Sequence, residues 1–152
     1  MKQNNKIKPL EILLVEDNPA DVRLTTEALK ESPINTNLRT VEDGVEALAF
    51  LRKEGKYMDA TTPDLILLDL NMPKKNGRDV LKEIKHDKSL KQIPVVVLTI
   101  SSAEEDIAKS YENLVNCYVI KPLDLDQFVK KIHIIIEFWA LNVKFIPSND
   151  YP

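Results

Sequence analysis

The chain has 152 residues, with 21 Lys plus Arg against 24 Asp plus Glu, a formal net charge of −3 and 43% hydrophobic residues. That length fits one domain burying roughly 68–70% of its unfolded surface, so no disulfide or metal staple is required. The acidic balance argues against a general nucleic-acid binder, whose affinity rests on neutralised phosphates, and the single cysteine, Cys117, excludes an internal disulfide framework or a cysteine metal cluster.

Residues 1–10 read as a polar, basic tail without the apolar core of a secretory signal. Residues 11–15 (EILLV) are a continuous apolar run, the mark of a strand buried on both faces of a parallel sheet. A helical stretch follows over 20–31, then a weaker strand at 37–41 and a helix at 44–53. A Gly- and Pro-punctuated connection, 54–63, leads to a second strong strand, 64–69 (DLILLD). Next come a helix at 77–85, a strand at 94–98 (PVVVL), a helix at 103–113, a strand at 116–120 and a helix from 125 onward. No apolar run reaches the ~18 residues of a membrane span, so a cytoplasmic protein with no membrane partner is expected. Five βα units fill 11–143, leaving 144–152 as a tail. The expected architecture is α/β: a doubly wound, five-stranded parallel sheet with helices on both faces.

Two helices carry more than one pattern. At about 100° per residue the first helix buries Val22, Thr25 and Leu29, and turns Ala20, Arg23, Glu27 and Lys30 outward. The last helix has a core stripe of Phe128, Val129, Ile132, Ile136, Trp139 and Val143. A second apolar row, Ile134, Phe138, Leu141 and Phe145, is spaced 4, 3 and 4, the rhythm of a helix–helix seam. Four large apolar side chains in water make a patch that monomers avoid, so a symmetric homodimer through this helix is expected.

In an open α/β sheet, ligands bind beyond the carboxyl ends of the strands. The first strand is followed by Glu16-Asp17, the third ends in Asp69, the fourth in Thr99, and the fifth in Lys121-Pro122. Clustered acids repel one another, and a hard, oxygen-loving cation such as Mg²⁺ relieves that repulsion. A cation on Asp17 and Asp69 would leave positions for a phosphoryl oxygen, with Thr99 and Lys121 meeting the others. This is a phosphoryl-transfer constellation whose nucleophile is a carboxylate. Taken singly, each residue has a plainer reading: a capping turn, a solvated strand end, a loop lysine. Their common edge is what favours chemistry.

The segments LLVEDNPAD, LILLDLNMPKKNG, VVVLT and YVIKP, in this order, resemble the receiver domains of two-component response regulators, the chemotaxis-regulator (CheY-like) family. The resemblance implies a flavodoxin-like sheet of order 2-1-3-4-5. It implies that Asp69 accepts a phosphoryl group from a kinase phosphohistidine. Asp17, Asp69 and the Asn71 backbone carbonyl would bind Mg²⁺, with Glu16 acting through water. Lys121 would pair with the phosphoryl group, Thr99 would move toward it, and Tyr118 would be the coupled aromatic. The switched surface would be that of the fourth and fifth helices and the fifth strand. The outward face of the first helix (Ala20, Arg23, Glu27, Lys30) would receive the sensor histidine kinase. The 54–63 loop and the phrases AEEDIAKSY and LDLDQFV are similar to regulators that partner bacteriophytochromes, so a phytochrome-type kinase is the implied partner. Two residues depart from the family pattern: Ile100 is bulky beside Thr99, and Leu114 stands where a glycine often closes the fourth helix.

Two other functions fit parts of the pattern. One is a metal-dependent phosphohydrolase with Asp69 as nucleophile, like the haloacid-dehalogenase group. That group needs a second aspartate two residues on as general acid, and here the position is Asn71. The other is a receiver-like module that binds partners without phosphorylation. With a receiver, enzymatic activity is limited to forming and hydrolysing its own phosphoaspartate. Cys117 and Trp139 read as packing residues, His86 and His133 lie on helical stretches without acidic or hydroxyl partners at a site spacing, and Lys74-Lys75 reads as a solvated pair.

Overall fold

Strands that are apolar at every position need cover on both faces, and alternate residues face opposite layers. The computed structural model, which describes residues 8–70, 77–99, 117–120 and 124–145, has this construction. Its elements are β1 (Leu10–Val15), α1 (Pro19–Lys30), β2 (Thr36–Val41), α2 (Gly44–Leu51), β3 (Leu65–Asp69), α3 (Gly77–His86), β4 (Val95–Thr99), β5 (Cys117–Ile120) and a last helix, Leu125–Phe145. The strands pair in parallel in the order β2-β1-β3-β4-β5. Leu13, Val15, Ile66, Leu68, Val95 and Val97 pack with α2 and α3 on one face. Ile12, Leu14, Leu65, Leu67, Val96 and Leu98 pack with α1 and the last helix on the other. A fully buried side chain of this size stabilises the fold by about 1.5–3 kcal/mol, so the central strands form a stiff base for whatever follows their ends.

Local chemistry sets the helix ends. The Asn18 side chain accepts from the Ala20 and Asp21 N–H groups (2.8 and 3.3 Å), with Pro19 at the first helical position. Asp43 caps α2 by accepting from Glu46 N–H at 2.9 Å. The helix pattern over 44–53 stops early, at Leu51, because Lys53 turns left-handed at φ 57°. Glu54 N–H then reaches Ala49 O (2.9 Å) and Lys53 N–H reaches Phe50 O (3.1 Å), closing a Schellman turn without glycine at its left-handed position. The connection after it holds a 3₁₀ turn, Gly55–Tyr57. Tyr57 stands edge-on to Phe50 and donates its hydroxyl to Glu46 at 2.5 Å. That hydrogen bond, together with the nearby Lys56 ammonium, holds the Glu46 carboxyl below the usual carboxylate range.

On α1, Thr25, Ala28 and Leu29 are buried and Val22 is half-buried, while Ala20, Arg23, Glu27 and Lys30 are exposed as the periodicity predicts. Both histidines have backbone partners. His86 Nδ1 lies 2.7 Å from Lys82 O within α3, and His133 Nε2 lies 2.7 Å from Ala28 O. Near the end of α1, Glu31 N–H goes to Glu27 O and Ser32 N–H to Leu29 O, so the His133 ring satisfies the Ala28 carbonyl and ties α1 to the last helix. On the last helix Phe128, Ile132 and Ile136 are buried, Val129 and Trp139 are half-buried, and the buried set extends to Ile135 and Ala140. Among the described residues no helix is long and apolar enough to cross a membrane.

Candidate functional site

Sheet register builds the site. Val15 pairs with Leu68, so Glu16 and Asp69 follow side by side where β1 and β3 end. Both continue the alternation of the face that meets α1 and the last helix: Ile12, Leu14, then Glu16, and Leu65, Leu67, then Asp69. They are 1% and 4% exposed, whereas Asp17, one residue on, faces water. Carboxylate oxygens from Glu16, Asp17 and Asp69 all lie within 4.8 Å of one another. The end of β1 is fixed by Glu16 N–H donating to Val41 O at 3.0 Å, and Asn18 N–H donates to the Glu16 carboxylate at 3.4 Å. Capping of α1 and shaping of the acidic pocket thus share one short turn, 16–18.

Two buried acids and one exposed acid converge as hard oxygen donors with an opening on the Asp17 side. This donor set suits a small divalent cation, which takes carboxylate oxygens and keeps several waters. The sequence pattern of the response regulator receiver domain matches residues 12–133, most of the chain. The chain belongs to this receiver family. The receiver is 52% identical over 135 residues to response regulator Rcp1 of Synechocystis sp., covering 89% of this chain and 92% of that one. It is also similar to solved structures. For the phosphorylated cyanobacterial phytochrome response regulator RcpA the TM-score is 0.80 at 55% identity, covering 87% and 94% of the two chains. For the Mn²⁺-bound form of Rcp1 it is 0.79 at 52% identity, covering 87% and 95%.

The receiver therefore brings together three of the residues singled out in its sequence: Glu16, Asp17 and Asp69. Thr99 ends β4 and Tyr118 lies in β5. Their side chains, and that of Phe145, lie outside the described residues, as do Asn71, Ile100, Leu114 and Lys121. Ile134, Phe138 and Leu141 are 65%, 53% and 55% exposed, so these three members of the second row face outward, Phe138 standing edge-on to the Trp139 ring. Sequence reading assigned no role to Gly77, whose backbone lies against the Asp69–Leu70 end of β3. The available signal was a glycine opening a helix directly behind an acidic strand end.

Proposed function

We propose that the chain is a phospho-acceptor of two-component signalling. Asp69 takes a phosphoryl group from the phosphohistidine of a sensor histidine kinase, of the phytochrome type by likeness to Rcp1 and RcpA, in the cytoplasm. The observation carrying this reading is the convergence of Glu16, Asp17 and Asp69 at the carboxyl edge of β1 and β3. In the transfer, an Asp69 carboxylate oxygen attacks phosphorus, a P–O bond forms as the P–N bond breaks, and the imidazole leaves neutral after taking up a proton. Water later attacks the acyl phosphate, releasing inorganic phosphate and restoring the carboxylate. Mg²⁺ held by Asp17, Asp69 and the Asn71 carbonyl, with Glu16 through water, would neutralise charge on the transferring oxygens. The hydrolase alternative stays weaker, because Asn71 cannot serve as a general acid.

Thr99 and Lys121 then meet the new phosphoryl oxygens and Tyr118 turns behind them, switching the surface of β5, the last helix and the 103–113 helix expected from sequence. Incubation with Mg²⁺ and acetyl phosphate tests the reading. Intact mass should show one added phosphoryl group, abolished by EDTA, and hydrogen exchange should change over 95–99 and 117–120. Labelling that persists in EDTA, or unchanged exchange with full labelling, would contradict it.

Kinase docking is assigned to α1. Ala20, Arg23 and Glu27 line a groove of about 530 Å³ against Leu125, Asp126 and Val129 of the last helix. Lys30 extends the face, its ammonium 3.6 Å from Glu27. Arg23→Glu should slow phosphotransfer from the kinase about tenfold or more, since like-charge juxtaposition at an interface costs several kcal/mol. Acetyl phosphate labelling, which needs no docking, should be unchanged. A kinase rate equal to wild type removes this face from the proposal.

Homodimerisation is assigned to the exposed row Ile134, Phe138 and Leu141, continued by Phe145. Pairing two copies about a two-fold axis covers both rows at once. Sedimentation equilibrium at tens of micromolar, roughly the concentration suited to a weak interface, should show a dimer that Phe138→Glu/Leu141→Glu converts to monomer. A monomeric wild type defeats it.

A further inference from the structure

We infer that Gly77 is a positioning residue for the Asp69 carboxylate. A Cβ at position 77 would stand 2.5 Å from the Asp69 carbonyl oxygen and 2.6 Å from the Leu70 Cα. Both are backbone atoms of the acceptor residue and its neighbour, so no side-chain rotation can relieve the contact. The helix cannot retreat either. Val80, Leu81 and Ile84 of α3 are 0–1% exposed and pack with Leu68 and Leu70, and Gly77 N–H donates to Leu70 O at 3.2 Å. On the other side, β3 is held on both flanks as far as Leu68, which pairs with Val15 of β1 and Val97 of β4, whereas at Asp69 the register continues on the β4 side, with Leu98. The part left to yield is the end of β3, residues 69–70, which carries the acceptor. The first residue of α3 therefore acts as a backstop, setting how far Asp69 stands from Glu16 and Asp17. Only glycine allows the approach, and its φ is not the reason: the constraint is space, not left-handed backbone.

This inference rests on the reading of Asp69 as acceptor, and the test separates the two. Gly77→Ala and Gly55→Ala are compared with wild type. Gly55 has φ +56° and nothing within 4 Å of a built Cβ, so its alanine variant strains the backbone of the α2–β3 connection without touching the acidic cluster. The readouts are the acetyl phosphate labelling rate with saturating Mg²⁺, Mn²⁺ affinity by water-proton relaxation, and folding by circular dichroism. Reactive atoms misplaced by ~1 Å lose about 10²-fold in rate, so Gly77→Ala should label roughly ten- to a hundredfold more slowly and bind Mn²⁺ more weakly while folded. Gly55→Ala should match wild type in both. Equal rates for Gly77→Ala and wild type, or equal losses in the two variants, would overturn the inference. If Gly77→Ala does not fold in buffer, the comparison is repeated in an osmolyte that strengthens burial; failure to fold there also overturns it, because a local displacement is what is claimed. If wild type itself is not labelled, the acceptor reading fails, and Mn²⁺ affinity alone decides whether Gly77 positions the carboxylate.

Discussion

Asp69→Asn is expected to reduce phosphoryl labelling to background, with the fold intact. The substitution keeps the shape of a side chain that is 4% exposed at the end of a strand buried on both faces. It removes the carboxylate's negative charge, and an amide oxygen whose electrons are shared with nitrogen is no nucleophile toward phosphorus. It also takes one of three charges from the acidic pocket, so the same variant should bind divalent metal more weakly. Intact mass after acetyl phosphate treatment checks the first effect, and circular dichroism checks the fold. Substantial labelling of Asp69→Asn would place the acceptor on another residue.

Asp17→Asn is expected to weaken Mg²⁺ binding about 10- to 100-fold, the range reached even by changes to outer ligands of metal sites. Asp17 is the exposed member of the cluster, so solvent and salt screen part of the loss and the lower end of that range is expected at physiological ionic strength. Two effects of opposite sign follow on stability. Without metal the variant should melt at or above the wild-type temperature, since one like charge is removed beside two buried carboxylates. With millimolar Mg²⁺ the wild type should gain more than the variant, because stabilisation by a ligand grows as RT ln(1 + [L]/Kd). Thermal melts at several Mg²⁺ concentrations measure both. An identical metal-dependent gain in the two proteins would exclude Asp17 as a ligand.

The strands were legible because runs such as LILLD tolerate no exposed face, and each described strand begins or ends within one residue of its expected place. Helix ends were less so. The α2 helix was expected to reach 53, yet the chain turns at Lys53, a residue whose type does not announce a left-handed conformation. The partner of His133 was invisible for a different reason: Ala28 O is 105 positions away, and its need for a donor arises only from how α1 ends. Periodicity also drew the buried face of the last helix too narrowly. Its residues are apolar around much of the circumference: Ile134 is out, as its place in the second row predicts, but only packing on β1, β3 and β4 decides that Ile135 and Ala140 are inside.

For the site, legibility followed chain topology. Once the runs at 11–15 and 64–69 are taken as adjacent parallel strands, the acids after them must share an edge, and the observed register brings Glu16 and Asp69 side by side. Which acid is buried and which meets water could not be read from the letters, since Glu16 and Asp17 are consecutive. The alternation of the strand face decides it. The role of Gly77 was equally hidden, because a glycine kept for space looks the same in sequence as one kept for a turn.

The central claim is that Asp69 itself carries the phosphoryl group, and borohydride trapping tests it most directly. An acyl phosphate is reduced by borohydride to an alcohol, so a phosphorylated aspartate becomes homoserine at its own position. Protein labelled with Mg²⁺ and acetyl phosphate, reduced, digested and sequenced by mass spectrometry should show homoserine at residue 69 and at neither 16 nor 17, with none formed in EDTA. Homoserine at another position, or labelled protein that yields none, would contradict the assignment.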